Sequence, residues 1–205
     1  MIIVCSLARL QETVGKSRAR HVVTLVRDEE LIRREREGLR GQGVAPEDHL
    51  WLEMDDIADE MDGMIAPSQQ HVERLIAFLD RWDRMLPMVV HCYAGISRST
   101  AAAFVAACAL SPARAEAEIA ARLRRASPTA YPNRRLVALA DRHLGRGGRM
   151  TTAIEKMGFG IGAYQAREMM RDLGGDIEVR SKLGEGTTIT LLLPSVIMQK
   201  EAARA

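Results

Sequence analysis

Hydrophobic positions in the first half of the chain fall into four short runs rich in β-branched residues. These runs are "IIVCSL" at 2–7, "HVVTLV" at 21–26, "HLWLEM" at 49–54 and "MVVHC" at 88–92. Short apolar runs of this composition predict β-strands. The stretch 68–84 follows Pro67 and repeats apolar residues every three or four positions, which predicts a helix. Strands that alternate with helices predict an α/β fold with a mostly parallel central sheet flanked by helices.

Two more helices are predicted after the fourth strand. One begins near Pro112 and the other at Asn133, after the loop-forming sequence "SPTAYP". The segment "GRGGR" at 145–149 indicates the end of this compact unit, because glycine-rich stretches interrupt regular structure. Beyond it the pattern predicts a small appendage made of a helix and a β-hairpin. The predicted domains are therefore 1–150 and 151–205.

Composition and charge narrow the possible partners. The 205 residues carry a net charge of only +2, with arginines scattered among acids, which argues against nucleic acid or an anionic membrane as a partner. The start "MIIVCSL" lacks a basic leader, and the longest apolar run, "AAAFVAACAL", is too short to span a bilayer. Three cysteines without paired spacing indicate free thiols in a reducing compartment. We therefore expect a soluble cytoplasmic protein.

The stretch "MVVHCYAGISRSTAAAFVAACAL" at 88–110 carries the most informative chemistry of the chain. A predicted buried strand ends in a histidine and a cysteine, and a short loop leads into an alanine-rich helix that begins at an arginine. Ligands of parallel sheets gather at the carboxyl ends of the strands. The first turn of a helix directs its free amides and positive dipole end toward the preceding loop. This loop is therefore a predicted anion cradle.

Four residues of the predicted cradle are suited to binding a phosphate or reacting with it. Backbone amides and the helix dipole around Cys92 favour its thiolate, which is a strong nucleophile. The guanidinium of Arg98 can hold two oxygens of one phosphate. Gly95 permits a tight backbone path, and the hydroxyl of Ser99 can donate to the sulfur when it leaves.

The pattern "HCYAGISRS" resembles the signature loop of cysteine-based protein tyrosine phosphatases, in particular the compact dual-specificity type. The resemblance implies that Cys92 forms a phosphocysteine and that Arg98 stabilises the transition state. It also implies the phosphatase fold for residues 1–150 and a reaction that needs neither cofactor nor metal. The implied substrate-binding residues are His91, Tyr93, Ala94, Gly95, Ile96, Ser97 and Ser99, with the loop amides completing the cradle.

Cleavage of a phosphate ester also requires a proton for the leaving oxygen. In the resembling family an aspartic acid some thirty to forty residues before the cysteine supplies it. The segment "EMDDIADEMDG" offers Asp55, Asp56 and Asp59 at the end of the third predicted strand. Alternation along that strand directs Asp56 to the side of the cleft, so we favour Asp56, then Asp55, then Asp59. The alternative is that these acids form only a solvated capping cluster.

Other reactive residue types have structural interpretations. Cys5 and Cys108 lie in apolar runs and are expected to pack in the core. Asn133 stands before a predicted helix, which favours a helix cap over direct contact with substrate. The remaining histidines, at positions 21, 49, 71 and 143, show no spacing typical of metal ligands.

The segment from about 158 to 194 resembles the C-terminal end of the ATP-binding domain of sensor histidine kinases. The resemblance rests on "GFGIG" and on "GGDIEVRSKLGEGTTITLLLP". The asparagine helix and the Asp-x-Gly-x-Gly segment of such domains are not found before position 158, so a complete nucleotide site is not expected. The predicted role of this partial module is contact with a protein partner or with a second copy of the chain.

Two functional hypotheses follow from these motifs. The first is hydrolysis of phosphate monoesters on phosphotyrosine, with phosphoserine and phosphothreonine as a wider specificity. Its substrate would be a phosphorylated protein or a small aryl phosphate. The second is a non-catalytic phosphate-binding or signalling module with a kinase-like docking tail. Sulfur transfer and arsenate reduction also use cysteine–arginine loops, but the spacing and position of Cys92 fit them less well.

Overall fold

The computed structural model describes residues 1–157, 170–172, 174–182 and 186–193. The chain divides into two compact units, Met1–Gly158 and Phe159–Ala205. None of the helices within the described ranges is long and apolar enough to cross a membrane.

The first unit contains four strands and seven α-helices within the described residues. In chain order these are β1 (Ile2–Ser6), α1 (Leu10–Ser17), β2 (His21–Thr24), α2 (Glu29–Gly41), β3 (His49–Trp51), α3 (Gln69–Arg81), β4 (Met88–Cys92), α4 (Arg98–Leu110), α5 (Glu116–Ala126), α6 (Arg134–His143) and α7 (Arg149–Met157). Short 3-10 turns span Leu7–Arg9 and Pro46–Asp48.

All four strands of the first unit run parallel, in the order β1-β4-β2-β3. Val89 of β4 packs in the cluster formed with α1 and α2, whereas Met88 and Val90 pack in the larger cluster formed with α3 to α7. Helices therefore cover both faces of the sheet, which explains why β4 is apolar almost throughout. The predicted α/β architecture with a mostly parallel central sheet is confirmed.

The third strand is shorter than its predicted range of 49–54. Regular pairing ends at Trp51, although the amide of Leu52 still donates to the carbonyl of Thr24 at 2.8 Å. The carbonyl of Met54 instead accepts from Arg98 Nη1 at 2.8 Å. The chain thus leaves the sheet after β3 to meet the loop that follows β4. Leu52 and Met54 both point into the larger core cluster, as the predicted alternation requires.

A buried carboxylate fixes the last helix of the first unit. Asp141, which is 3% exposed, accepts hydrogen bonds from the amides of Gly148 and Met150, both at 2.6 Å. These amides are free at the start of α7, where a negative charge is stabilised by the helix dipole. Met150 and Ile154 pack in the same core cluster as α3 to α6.

The described part of the second unit includes an antiparallel strand pair, β5 (Asp176–Lys182) and β6 (Gly186–Leu192). This pairing confirms the predicted strand pair near the C-terminus. Ile189 and Leu191 are 61% and 58% exposed. The "GFGIG" loop at 158–162 and most of the helix predicted after it lie outside the described residues.

A chain of polar side chains crosses three strands of the central sheet. The hydroxyl of Thr24 on β2 lies 2.6 Å from Nε2 of His91 on β4 and 2.8 Å from Nε2 of His49 on β3. Burial lowers the pKa of His91 to about 3 and, with the nearby Arg36, the pKa of His49 to about 4. Both imidazoles are therefore neutral near pH 7, and the hydroxyl can donate to only one of them.

Acid should destabilise the fold through His49. Its pKa is about 4 in the folded chain against 6.5 when exposed, so the unfolded chain binds the extra proton as pH falls through this window. We expect this residue to lower the free energy of unfolding by about 2 kcal/mol between pH 7 and pH 5. Urea unfolding at the two pH values measures the difference.

The matched variant is His49→Gln, whose amide can replace the hydrogen bond to Thr24 without titrating. Its free energy of unfolding should depend less steeply on pH than that of the wild type. The same pH dependence in both proteins would contradict the assignment.

Candidate active site

The loop 93–97 joins the end of β4 to the start of α4 and is held by backbone contacts on two sides. The carbonyl of Tyr93 accepts from the amide of Leu7 at 3.1 Å, and the carbonyl of Ile96 accepts from the amide of Tyr131 at 2.8 Å. Gly95 has φ of +75°, and a Cβ there would lie 2.8 Å from backbone atoms of Cys5 and Ser6. Glycine is therefore required at position 95, because the loop rests directly on the end of β1.

Cys92 is the last residue of β4 and is 1% exposed. Its Sγ lies 3.1 Å from the hydroxyl of Ser99, in the first turn of α4. The thiol thus sits at the base of the loop, before the amino end of a 13-residue helix. A hydroxyl donor and a helix dipole at this place both stabilise a negative charge on sulfur.

Arg98 is the first residue of α4 and is only 6% exposed. Its Nη1 donates to the carbonyl of Met54, and its Nε lies 3.7 Å from Oδ2 of Asp56. The same Nε is buried without a hydrogen-bond partner. The Tyr93 ring lies beside the guanidinium, with Cζ 5.6 Å from its centroid. A buried cation with an unused donor is suited to bind an oxyanion.

Asp56 is brought to the loop by two hydrogen bonds to one oxygen. Its Oδ1 accepts from the Ser97 hydroxyl at 2.7 Å and from Asn133 Nδ2 at 2.9 Å. Its Oδ2 is the oxygen that lies nearer to Arg98. The carboxyl group therefore has a fixed orientation at the edge of the cradle, with one oxygen occupied and one available for a proton.

Asp55, the second candidate acid, is part of a different structure. Its Oδ2 accepts from the amide of Ile65 at 2.8 Å and from Arg27 Nη1 at 3.0 Å. Although partial burial opposes ionisation, these two donors and the charge of Arg27 hold the pKa of Asp55 below its usual value. Asp55 thus closes the loop 55–65, whereas Asp59 is simply exposed.

Asn133 has two roles, of which one was predicted. Its Oδ1 accepts from the amide of Leu136 at 3.0 Å and caps α6, as expected from the sequence. Its Nδ2 also donates to Asp56 and, at 3.3 Å, to the carbonyl of Ile57. Nothing in the local sequence signals this second role, because the two partners are 77 positions apart.

The other residues predicted to bind substrate differ in exposure. Tyr93 and Ala94 are exposed, Gly95, Ile96 and Ser97 are half-buried, and His91 is fully buried. His91 lies within 2.6 Å of the Thr24 hydroxyl through Nε2, and its ring is not exposed to solvent. Thr24 and His49 were not anticipated from the sequence, since neither lies in a recognisable motif.

The two remaining cysteines lie in the core, as predicted. Burial raises the pKa of the Cys5 thiol to about 11 and the pKa of the Cys108 thiol to about 12. Cys5 packs with α1 on the face of the sheet opposite to the core cluster that contains Cys92. Both are therefore protonated and unreactive near neutral pH.

Comparisons with known proteins identify the fold of this chain. No protein-family model matches the sequence, and no curated protein matches it. Among solved structures, Cydia pomonella PTP-2 phosphatase has a TM-score of 0.53 at 14% identity, covering 93% of both chains. Human DUSP28 has a TM-score of 0.51 at 19% identity, over 76% of this chain and 94% of that one. PTPMT1 in complex with PI(5)P has a TM-score of 0.52 at 13% identity, over 77% and 92%.

At identities this low, the structural similarity establishes the fold alone. The parallel central sheet flanked by helices that the first unit shows is the feature that matches the fold of these neighbours. The chain has the fold of the protein tyrosine and dual-specificity phosphatases.

Proposed function

We propose that this protein hydrolyses phosphate monoesters through a phosphocysteine intermediate. The observation that carries the proposal is the meeting of two segments that are distant in sequence. Cys92 at the end of β4, Arg98 at the start of α4 and Asp56 after β3 lie around one cradle, with the Asp56 carboxylate 3.7 Å from the guanidinium. A nucleophile, an oxyanion binder and an acid are the three groups that such a reaction needs.

In the first step, the thiolate of Cys92 attacks phosphorus while the bond from phosphorus to the ester oxygen breaks. The guanidinium of Arg98 and the loop amides bind the non-bridging oxygens, whose charge they stabilise in the transition state. The leaving oxygen takes a proton from Asp56, whose Oδ2 is the oxygen not occupied by Ser97 and Asn133.

In the second step, water attacks the phosphocysteine and gives a proton to Asp56, which is now a carboxylate. The sulfur–phosphorus bond breaks, and inorganic phosphate leaves with the oxygen of that water. The departing thiolate is stabilised by the Ser99 hydroxyl, which lies 3.1 Å from Sγ. Acid and base are thus one residue, and the protein returns to its starting state.

The proposed substrate is phosphotyrosine, with phosphoserine and phosphothreonine as a wider specificity. PTPMT1 was crystallised in complex with PI(5)P. In this chain the loop residues "YAGIS" at 93–97 contain no lysine or arginine to bind additional phosphates. The loop composition therefore favours a substrate with a single phosphate.

The second unit has no proposed part in the reaction. The exposure of Ile189 and Leu191 on its hairpin supports the proposal that it contacts a protein partner or a second copy of the chain.

Replacing the nucleophile should abolish turnover without loss of the fold. Cys92→Ser is nearly isosteric, but its hydroxyl is far less acidic than a thiol, so no phosphoenzyme should form. Metal-free hydrolysis of an aryl phosphate, followed in wild type and variant, measures the effect, and circular dichroism checks the fold. Retained turnover in a folded Cys92→Ser variant would refute the mechanism. If neither protein turns over substrate, the phosphate-binding module becomes the better explanation.

Removal of the proposed acid should depend on the leaving group. Asp56→Ala is expected to slow hydrolysis of an alkyl phosphate by about 10²- to 10⁴-fold. An aryl phosphate with an acidic phenol should be affected much less, because its leaving group needs little protonation. Asp80→Ala removes an exposed carboxylate from α3 and serves as the control, with unchanged rates on both esters. Equal losses on both esters after Asp56→Ala would count against Asp56 as the acid.

A further inference from the structure

Two short segments near the cradle are unusually rich in acidic residues. One is 28–30 at the start of α2, and the other is 55–62 after β3. They contain Asp28, Glu29, Glu30, Asp55, Asp56, Asp59, Glu60 and Asp62. Asp55 has the structural role described above, and Asp56 has the proposed catalytic role. The other six are exposed, and we refer to them as the acidic rim.

One arginine joins the two segments of the acidic rim. Arg27 Nη1 donates to Oδ2 of Asp55 at 3.0 Å and to the carbonyl of Gly63 at 2.6 Å. Asp28 directly follows this arginine, and Asp62 directly precedes this glycine. The contact therefore brings the acidic ends of the two segments next to each other.

The two segments that carry the acidic rim reach the cradle through Asp28 and Asp56. Asp56, in the second segment, accepts from Ser97 of the cradle at 2.7 Å. Partial burial, followed by the negative charges of Asp28 and Asp55, raises the pKa of Tyr93 above its usual value. Tyr93 is the exposed residue directly after the nucleophile, so the field of these acids reaches the entrance of the site.

Ion pairs compensate only part of the acidic rim. Arg135 Nη2 pairs with Glu60 at 2.7 Å, and Arg27 is occupied by Asp55 and Gly63. Within the described ranges, Glu29, Glu30, Asp59 and Asp62 form no ion pair with a lysine or arginine. On α2 itself, Arg33 and Arg34 follow Glu29 and Glu30 by four positions and offset part of the charge of the first segment.

The cradle itself has the opposite charge. Arg98 is buried, and its Nε has no hydrogen-bond partner, so one donor remains for an anion. The entrance thus presents a small cationic centre for a single phosphate inside an acidic surround. Such an arrangement attracts a molecule that is anionic at one point and cationic around it, and it repels one that is anionic throughout.

We propose that the substrate is a phosphorylated residue flanked by lysines and arginines, and that the acidic rim selects it against acidic peptides and polyanionic headgroups. The inference rests on the proposed function, because it assigns the phosphate to the cradle of Cys92. The selectivity comes from exposed charges, so it is strongest at low ionic strength and weakens as salt screens the rim.

The test compares two phosphotyrosine peptides of equal length, one flanked by lysine and arginine and the other by aspartate and glutamate. Their dissociation constants are measured with the Cys92→Ser variant of the full chain, which binds substrate without turning it over. We expect the basic peptide to bind roughly tenfold more tightly at low salt, with the ratio falling at high salt. Equal affinities, tighter binding of the acidic peptide, or tighter binding of a soluble inositol phosphate would overturn the proposal.

Variants in the Cys92→Ser background locate the source of the preference. Glu29→Gln with Glu30→Gln removes two charges from α2, and Asp59→Asn with Asp62→Asn removes two from the loop. Each pair should reduce the basic-to-acidic affinity ratio by about threefold, a typical sum for two exposed charges. Glu37→Gln with Glu118→Gln, which removes two exposed carboxylates outside the rim, should leave the ratio unchanged. A ratio that no rim variant alters would also refute the proposal.

Turnover of a small aryl phosphate by the wild type is measured separately. Such a substrate has no flanking residues, so its hydrolysis tests the proposed function and not the acidic rim. If the protein hydrolyses the aryl phosphate but shows no peptide preference, the proposed function stands and the proposed selectivity is refuted. If the protein prefers the basic peptide but does not hydrolyse the aryl phosphate, the proposed catalysis is refuted and the proposed selectivity stands.

Discussion

The site depends on a buried arginine at the amino end of a helix, where the helix dipole disfavours a positive charge. Arg98 begins α4, where the helix dipole and free amides already carry positive charge, and only 6% of it is exposed. A guanidinium in such a place is costly unless other groups compensate it. The carbonyl of Met54 and the carboxylate of Asp56 provide that compensation. The need to satisfy Arg98 therefore ties the segment after β3 to the loop after β4.

The early end of β3 follows from the same constraint. A longer β3 would keep the Met54 carbonyl in the sheet, whereas the structure directs it to the guanidinium. Once the chain has left the sheet, the loop 55–65 needs supports of its own. Arg27, after β2, donates to the carbonyl of Gly63, while Asn133 and Arg135, at the start of α6, donate to the carbonyls of Ile57 and Ala58. Asp56, the proposed acid, is thus positioned by contacts from several different elements.

Features that depend on residues close together in the sequence could be predicted, whereas contacts between distant residues could not. The strand, the loop and the start of α4 are encoded within "MVVHCYAGISRS", because each residue there acts on near neighbours in the chain. The sheet order and the buried faces follow from the alternation of short apolar runs with amphipathic helices. By contrast, the hydrogen bond from Asn133 to Asp56 and the contact of Thr24 with His91 and His49 join residues 25 to 77 positions apart. Such pairings depend on how the elements pack against each other, which local sequence patterns do not reveal.

The same compensation explains why the proposed proton donor lies next to the proposed phosphate site. Asp56 accepts hydrogen bonds from Ser97 and Asn133 through Oδ1, while its Oδ2 lies 3.7 Å from Nε of Arg98. In the proposed mechanism, a phosphate in the cradle binds the same guanidinium, so Oδ2 of Asp56 lies beside the bound substrate. The group that compensates the buried cation is thus the group proposed to protonate the leaving oxygen.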